Sequence, residues 1–142
     1  MRTIDQILKE KGPALYAIGP DDPVLDAIRL MAEKHVGALL VIKGATLVGI
    51  LSERDYARKV VLLGRSSADT PVSQIMSSPV TTVTRTASVN TCLEMMTDRR
   101  IRHLPVVEHD RVLGMLSIGD LVKAVIDDQR HTIEDLERFI RS

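Results

Sequence analysis

Gly49-Ile-Leu-Ser-Glu-Arg-Asp55 recurs later in the chain as Gly114-Met-Leu-Ser-Ile-Gly-Asp120, and this repeated segment decides the fold. When the chain is aligned with itself on the two segments, the apolar residues that precede them also match without a gap. An internal repeat at one fixed period indicates two copies of one supersecondary unit. The matched pairs include Val24 with Val89, Met31 with Met96, and Leu39 with Leu104.

Each copy is predicted to fold as strand, helix, strand, strand and helix, which places the chain in the α/β (α+β) class. Asp22 is expected to cap the first helix, with Pro23 in its first turn. Gly44-Ala45 separates two β-branched, leucine-rich runs and indicates a hairpin. The predicted strands are 15–18, 38–43 and 47–51 in the first copy and 81–84, 104–107 and 112–116 in the second, and the other helices begin after Ser52, at Ser88 and after Ser117.

The two copies are expected to pack together with pseudo-two-fold symmetry, because one copy alone would bury only a marginal core. The predicted bounds are 1–70 for the first repeat with its lead-in, 71–130 for the second repeat and 131–142 for a C-terminal amphipathic helix, with 65–70 linking the halves. That last helix either docks on the body or serves self-association. Its apolar face carries Ile133, Leu136 and Ile140, and the two similar lead-in segments carry Ile4, Ile7 and Leu8, and Val72, Ile75 and Met76.

The composition argues against several classes of protein. Hydrophobic residues make up 44% of the chain, and 19 basic and 19 acidic residues give a formal net charge of zero. Such interspersed charge provides no electrostatic footprint for nucleic acid or an anionic membrane. Cys92 falls on an apolar helix face and is expected to be a buried structural thiol. Without a long apolar run or a secretory signal, a cytoplasmic location is predicted.

Gly-x-x-Ser-x-x-Asp has two compatible interpretations where a strand ends and a helix starts. The serine and aspartate, Ser52 with Asp55 or Ser117 with Asp120, can close a capping box. The same carboxylate can accept both hydroxyls of a ribose, because its two oxygens match a vicinal diol. The glycine removes a side chain from the strand, so another group can approach the backbone closely there.

The element order with its terminal Gly-x-x-Ser-x-x-Asp resembles the CBS domain, the repeat named after cystathionine β-synthase. The resemblance covers roughly residues 8–128, and two such repeats form a Bateman module. It implies a regulatory module that binds adenosine-containing ligands such as AMP, ADP, ATP, NAD or S-adenosylmethionine in clefts between the repeats. It also implies signalling by conformational change, a homodimer formed through the CBS helices and an unidentified protein effector, without a catalytic cofactor.

The resemblance implies two clefts in which Asp55 and Asp120 hold the ribose. Arg102-His103 aligns with Gly37-Ala38, so only the second copy brings cationic or titratable side chains to this edge. We therefore expect the clefts to differ in affinity or ligand preference. The first cleft would be lined by Ile50, Ser52, Arg54, Asp55, Val80, Thr81, Ile101, Arg102 and His103, and the second by Met115, Ser117, Gly119, Asp120, Tyr16, Val36, Gly37 and Ala38.

Two other classes of function are open from the sequence. A small nucleotide-processing enzyme would have to use Asp55, Asp120 or His103, without a Walker-type glycine loop or metal-ligand spacing to support them. A scaffold that dimerises without ligand would use the fold alone. The chain is predicted to be a ligand sensor rather than an enzyme, with no metal site.

Overall fold

The computed structural model describes residues 2–141, so Met1 and Ser142 of the predicted bounds lie outside the described residues. The chain divides into two compact units. The central unit spans Leu15–Thr81, and the terminal unit combines the segment ending at Ala14 with the segment beginning at Thr82. The helices are α1 (Ile4–Lys11), α2 (Val24–Lys34), α3 (Glu53–Tyr56), α4 (Val89–Arg99) and α5 (Ile118–Arg141), and the strands are β1 (Ala17–Ile18), β2 (Ala38–Lys43), β3 (Thr46–Ser52), β4 (His103–Glu108) and β5 (Arg111–Ser117).

The central unit contains a three-stranded sheet in the order β1-β2-β3. β1 pairs parallel with β2, and β2 pairs antiparallel with β3 so that Ala38 lies opposite Ser52. A π-helical segment, Ala57–Val61, follows α3, and a 3-10 turn spans Val72–Gln74. The predicted hairpin and helices are confirmed, but the first strand is shorter than the predicted 15–18, and Leu15 is exposed.

The terminal unit contains a two-stranded antiparallel sheet of β4 and β5, in which His103 lies opposite Ser117. The strand predicted at 81–84 is reduced to a single parallel bridge between Val83 and Val106. That bridge satisfies both main-chain groups of Val83, which bond to Pro105 O at 3.0 Å and Val107 N at 2.9 Å. The predicted helix from Ser88 is confirmed, with Ser88 as N-cap and Cys92 fully buried in the core.

The prediction that Asp22 caps α2 is wrong. Asp22 Oδ2 accepts a hydrogen bond from Gly19 N at 2.8 Å, and Pro23 occupies the N-cap position without a side-chain bond. The first amides of α2 are satisfied by the loop at 65–70 instead, since Val24 N donates to Thr70 O and Leu25 N to Ser67 O. This loop therefore belongs to the central unit and does not connect the two units.

The two lead-in segments pack on opposite repeats. Ile4 and Ile7 of α1 are buried in the core of the terminal unit, which holds the second repeat. Val72 and Ile75 are buried in the core of the central unit, which holds the first. The compact units therefore do not follow the predicted bounds 1–70 and 71–130, because each repeat packs with the lead-in that precedes the other repeat.

The predicted C-terminal helix is not a separate element. α5 is one helix of 24 residues that starts after Ser117 and continues through the segment predicted at 131–142. Its first half buries Leu121 and Ala124, whereas its second half leaves its apolar side chains in solvent. The expectation that this face docks on the body is wrong, since the exposed fractions are 54% for Ile133, 57% for Leu136 and 80% for Ile140.

Candidate ligand site

The first predicted carboxylate, Asp55, closes a capping box at the start of α3. Ser52 Oγ accepts from Asp55 N at 3.1 Å, and Asp55 Oδ2 accepts from Ser52 N and Ser52 Oγ, both at 3.0 Å. Lys59, one helical turn further on, places Nζ 3.4 Å from Asp55 Oδ1 and donates to Ile75 O at 3.0 Å. The Asp55 side chain is only 15% exposed, so the capping interpretation is confirmed and the carboxylate is held in one orientation.

The second predicted carboxylate, Asp120, has a similar bond to its serine but a different lysine. Asp120 Oδ2 accepts from Ser117 N at 2.8 Å, and Asp120 N donates to Ser117 Oγ at 3.1 Å. Lys11, the last residue of α1, places Nζ 2.8 Å from Asp120 Oδ2 and donates to Met115 O at 2.7 Å. A charged group from a segment distant in sequence therefore already bonds to the carboxylate that was predicted to hold a ribose.

The motif glycines make room for the lead-in segments. A Cβ at Gly114 would lie 2.6 Å from Leu8 Cδ2, and a Cβ at Gly49 would lie 2.5 Å from Met76 Sδ. Neither glycine has a positive φ angle, so the absence of a side chain serves the close approach and not an unusual backbone. The expectation of a group close to the backbone is confirmed, and in both units that group belongs to the protein.

The structure brings together side chains that the prediction divided between two clefts. His103 is the strand partner of Ser117, and Arg102 O accepts from Ile118 N at 2.8 Å. Arg102 and His103 thus lie beside Asp120 in the terminal unit. The equivalent contacts occur in the central unit, where Ala38 is the strand partner of Ser52 and Gly37 O accepts from Glu53 N at 3.0 Å.

The titration of this cluster follows from its burial and its charges. Burial lowers the pKa of His103, the charges of Lys11 and Arg102 lower it further, and only Asp120 opposes them. Burial raises the pKa of Asp120, but the hydrogen bonds from Lys11 and Ser117 and the charge of Lys11 outweigh burial, so its pKa lies below the ordinary value. His103 is therefore neutral and Asp120 ionised at neutral pH.

The other predicted site residues lie near the ends of β3 and β5 or in segments next to these strands. Ile50 N donates to Ser77 O at 3.1 Å and Ile50 O accepts from Ser77 N at 2.8 Å, so the edge of β3 at Ile50 is paired with the chain that leads to Val80 and Thr81. Tyr16 O accepts from Leu40 N at 3.1 Å. The residues of the two predicted clefts are divided between the units. Those in the central unit are Tyr16, Val36, Gly37, Ala38, Ile50, Ser52, Arg54, Asp55, Val80 and Thr81, and those in the terminal unit are Ile101, Arg102, His103, Met115, Ser117, Gly119 and Asp120.

Each predicted cleft draws on both units, so the pairing of residues across the units stays a prediction. Sequence reasoning missed both lysines. The i, i+4 spacing of Asp55 and Lys59 on a helix was a usable signal. Lys11 had none, because its contact with Asp120 depends on the packing of α1.

A depression of about 110 Å³ in the terminal unit adjoins Asp120. Lys11, Arg2 and Lys123 contribute positive charge to its wall, and Glu10 contributes negative charge. Ligand pockets for drug-sized molecules occupy about 300–1,000 Å³, so this depression is too small for a nucleotide while Lys11 is in place. A larger depression, of about 440 Å³, is lined by Arg2, Gln6, Asp127, Asp128 and His131, none of which was predicted as a site residue.

The described residues, 2–141, bear on two other classes of site. No cluster of three or more His, Cys, Asp or Glu side chains within this range is arranged to hold a metal ion. In the same range, no helix is both long enough and apolar enough to span a membrane.

Comparisons with known proteins agree on one family. The model of the CBS domain matches residues 12–62 and 72–127. A mitochondrial CBS domain-containing protein of Arabidopsis thaliana, CBSX3, is 40% identical over 98% of this chain and 72% of its own length.

Solved structures extend this agreement to the fold. A protein with CBS domains from Burkholderia ambifaria, provisionally assigned to signal transduction, is 50% identical with a TM-score of 0.86, covering 90% of this chain and 96% of that chain. The CBS domain pair of MJ0100, solved with 5′-methylthioadenosine and S-adenosyl-L-methionine, is 19% identical with a TM-score of 0.80 over 90% of this chain and 98% of that chain, and at this identity it supports the fold alone.

Proposed function

Since the chain belongs to the CBS domain family, whose paired repeats generally act as regulatory modules, we propose that it is a sensor of adenosine-containing ligands. The observation that carries the proposal is the pair of half-buried carboxylates, Asp55 and Asp120, each oriented by a serine where a strand meets a helix. A carboxylate held in this way presents acceptors for a ribose diol without reorganisation of its own side chain. AMP, ADP, ATP and NAD all contain such a ribose, as does S-adenosylmethionine.

The neighbours of Asp120 favour a phosphorylated ligand at that carboxylate. Arg102 immediately precedes β4 and accepts a main-chain hydrogen bond from Ile118, and its guanidinium can donate two hydrogen bonds to one phosphate. His103 is held neutral, so it can accept or donate a hydrogen bond without adding a charge. We therefore assign Arg102 and His103 to the site of Asp120 as well, in addition to the Asp55 site with which the resemblance groups them.

The two sites are expected to differ in affinity. Gly37 and Ala38 stand beside Ser52 where Arg102 and His103 stand beside Ser117, so the central unit has no charged or titratable side chain at the two positions that match Arg102 and His103. Titration calorimetry with ATP should resolve two unequal dissociation constants. Two identical, independent sites would contradict this part of the proposal.

Ligand-induced stabilisation tests the proposed function. Mass spectrometry of small molecules released from freshly purified protein would identify candidates, and a thermal-shift series with AMP, ATP, NAD and S-adenosylmethionine would rank them. A ligand at a hundred times its dissociation constant stabilises a protein by about 2.7 kcal/mol. Asp55→Asn and Asp120→Asn should each remove part of this shift, since an amide oxygen preserves the cap but presents one acceptor oxygen instead of two. Asp98→Asn, on the exposed face of α4, is the control that should keep the full shift.

Conformational change is the proposed output. A ligand shifts a protein between two arrangements only by the difference in its affinity for them. The sensor would then act on a protein effector, and a cytoplasmic location stays a prediction. Absence of a thermal shift with every adenosine-containing compound, together with no co-purified ligand, would refute the sensor function.

A scaffold function is the second candidate, and the second half of α5 favours it. Ile133, Leu136 and Ile140 form an exposed apolar stripe at helical spacing, and Phe139 beside them is 79% exposed. Exposed apolar stripes of this kind mark interaction surfaces. Sedimentation velocity should show a homodimer that Leu136→Glu dissociates and Thr132→Glu, at an exposed polar position of the same helix, leaves intact. A monomeric wild-type protein would refute self-association.

A further inference from the structure

Lys11 contacts the terminal unit's carboxylate in a way that has no counterpart in the other repeat. Its ammonium lies 2.8 Å from Asp120 Oδ2 and also donates to Met115 O at 2.7 Å. When the lead-in segments are aligned on Ile4 and Val72, the position that matches Lys11 is Pro79, which carries no charge. Only one of the two carboxylates is therefore paired with the end of a lead-in helix.

The ion pair occupies the acceptor that the proposed ligand needs. Oδ2 of Asp120 already accepts from Ser117 N at 2.8 Å, and Lys11 Nζ is a second donor on the same oxygen. A ribose diol requires an acceptor for each hydroxyl, so a third donor at Oδ2 would compete with Lys11. The depression beside Asp120 holds only about 110 Å³ while Lys11 forms part of its wall.

Lys11 and Asp120 are both exposed enough for the ion pair between them to open. The Lys11 side chain is 40% exposed and the Asp120 side chain 24% exposed. A partly exposed ion pair is weak, because solvent screens the charges and a long side chain loses rotamer freedom when it is held. The displaced ammonium would be hydrated at the surface, so its release carries little penalty.

We propose that Lys11 is a latch that closes the Asp120 site in the ligand-free protein and that a ribose must displace. The proposal deepens the proposed function and rests on it. Displacement of Lys11 also releases the last residue of α1 from Met115 and Asp120. Ligand binding at Asp120 would thus be transmitted to the N-terminal helix.

The Asp55 site lacks an equivalent latch. Lys59 contacts Asp55 Oδ1 from one turn further along the same helical segment, and its second bond is to Ile75 O. The contact between Lys59 and Asp55 at i, i+4 is local to the helical segment, and Lys59, although it bonds to Ile75 O, is not itself a residue of the lead-in segment. The latch should therefore affect one site and leave the other unchanged.

Adenosine binding to a protein with a single competent site tests the latch. In the Asp55→Asn background, Lys11→Met keeps the length of the side chain but removes its charge. Lys9→Met is the matched control, since Lys9 is on α1, loses the same charge and pairs with Asp5 and not with the site. Calorimetry should show adenosine binding about two- to fivefold tighter for Lys11→Met, the range expected when an exposed ion pair no longer competes. Lys9→Met should match the background.

The outcomes separate the latch from the proposed function. If Asp55→Asn protein binds adenosine and Lys11→Met binds it equally or more weakly, the latch is refuted while the sensor function stands. If neither protein binds adenosine, the latch is refuted, and the sensor function at this site is refuted as well if ATP also fails to bind. A gain in affinity that persists when Asp120→Asn is added would also refute the latch, because Lys11 would then act through another group.

Amide exchange gives a second readout that does not require ligand. The main-chain amide of Gly12 donates to Leu8 O at 3.1 Å and closes the last turn of α1. If Lys11 anchors this end, Lys11→Met should raise the exchange rate of the Gly12 amide in the ligand-free protein, whereas Lys9→Met should not. Adenosine should raise the same rate in the Asp55→Asn protein, and an unchanged rate in both experiments would refute the anchoring role.

Discussion

Alanine at the motif glycines should destabilise the protein through the lead-in segments. An ordinary contact between carbon atoms is about 3.5–4.0 Å, whereas a Cβ at Gly114 would lie 2.6 Å from Leu8 Cδ2. Other Leu8 carbons, Cγ and Cδ1, are both 3.5 Å away, so the clash involves one terminal methyl that can rotate. Overpacking costs about 1–3 kcal/mol, and we expect about 1 kcal/mol for Gly114→Ala.

Gly49→Ala should cost more than Gly114→Ala. Its Cβ would lie 2.5 Å from Met76 Sδ, 2.9 Å from Cγ and 3.2 Å from Cβ, so the clash extends toward the main chain. That main chain is fixed at the next residue, because Ser77 exchanges two hydrogen bonds with Ile50. We expect about 2–3 kcal/mol, near the upper end of the cost of overpacking.

Urea denaturation of single and double variants measures these costs. Leu8→Ala alone should cost about 2 kcal/mol because it shortens a partly buried side chain. The double variant Leu8→Ala with Gly114→Ala should be about as stable as Leu8→Ala alone, since the first change removes the atom that the second would strike. Residues in contact show coupling of about 0.5–3 kcal/mol, and here we expect about 1 kcal/mol.

Two results would refute this reasoning. Strict additivity of Leu8→Ala and Gly114→Ala would show that Leu8 is not what the glycine accommodates. Unchanged stability of Gly114→Ala together with lost adenosine binding would show that the glycine serves the ligand, as the sequence alone allowed.

Three further predictions follow from the caps, the half-buried histidine and the buried thiol. Ser52→Ala removes an acceptor for a helix amide and should lower the free energy of unfolding by about 1 kcal/mol in urea denaturation, whereas Ser52→Asp should restore part of it. The pKa of His103 is below its ordinary value of 6.5, so the unfolded chain takes up a proton first as pH falls. The contribution of His103 to the free energy of unfolding should therefore be full above pH 6.5 and decrease below it. His103→Gln should show a smaller loss of stability between about pH 7 and pH 5, and an equal loss would contradict the lowered pKa. Cys92 is buried and burial raises its pKa, so a thiol reagent should modify it only in denaturant, and rapid labelling of native protein would contradict its burial.

Local pattern was enough to predict most of the elements. The strand predicted at 38–43 coincides with β2, and Ser88 and Ser52 are the N-caps that the sequence indicated. These features depend on residues within one turn or one hairpin, so their physical causes are contained in a short stretch of sequence. The cap predicted at Asp22 failed because a loop that follows much later in the chain supplies the acceptors for α2.

The candidate site was predicted only in part, because some of its contacts are local and others join distant parts of the chain. The capping pairs at Asp55 and Asp120 are local and were found. The position of Arg102 and His103 beside Ser117 depends on the register of β4 and β5, which was not predicted from the sequence. The contact of Lys11 with Asp120 joins residues that are far apart in the chain and match no spacing rule.

The sequence by itself determined that the chain contains two copies of one unit, each ending in a glycine, a serine and an aspartate. It did so because burial imposes the same apolar pattern on both copies. Tertiary structure decided which lead-in segment completes which repeat. Ile4, Ile7 and Leu8 match Val72, Ile75 and Met76, and both motif glycines offer the same close approach, so the pattern is degenerate. Packing resolves this degeneracy, and in doing so it brings Lys11 to Asp120, which adds a difference between the two carboxylate sites that the aligned repeats do not show.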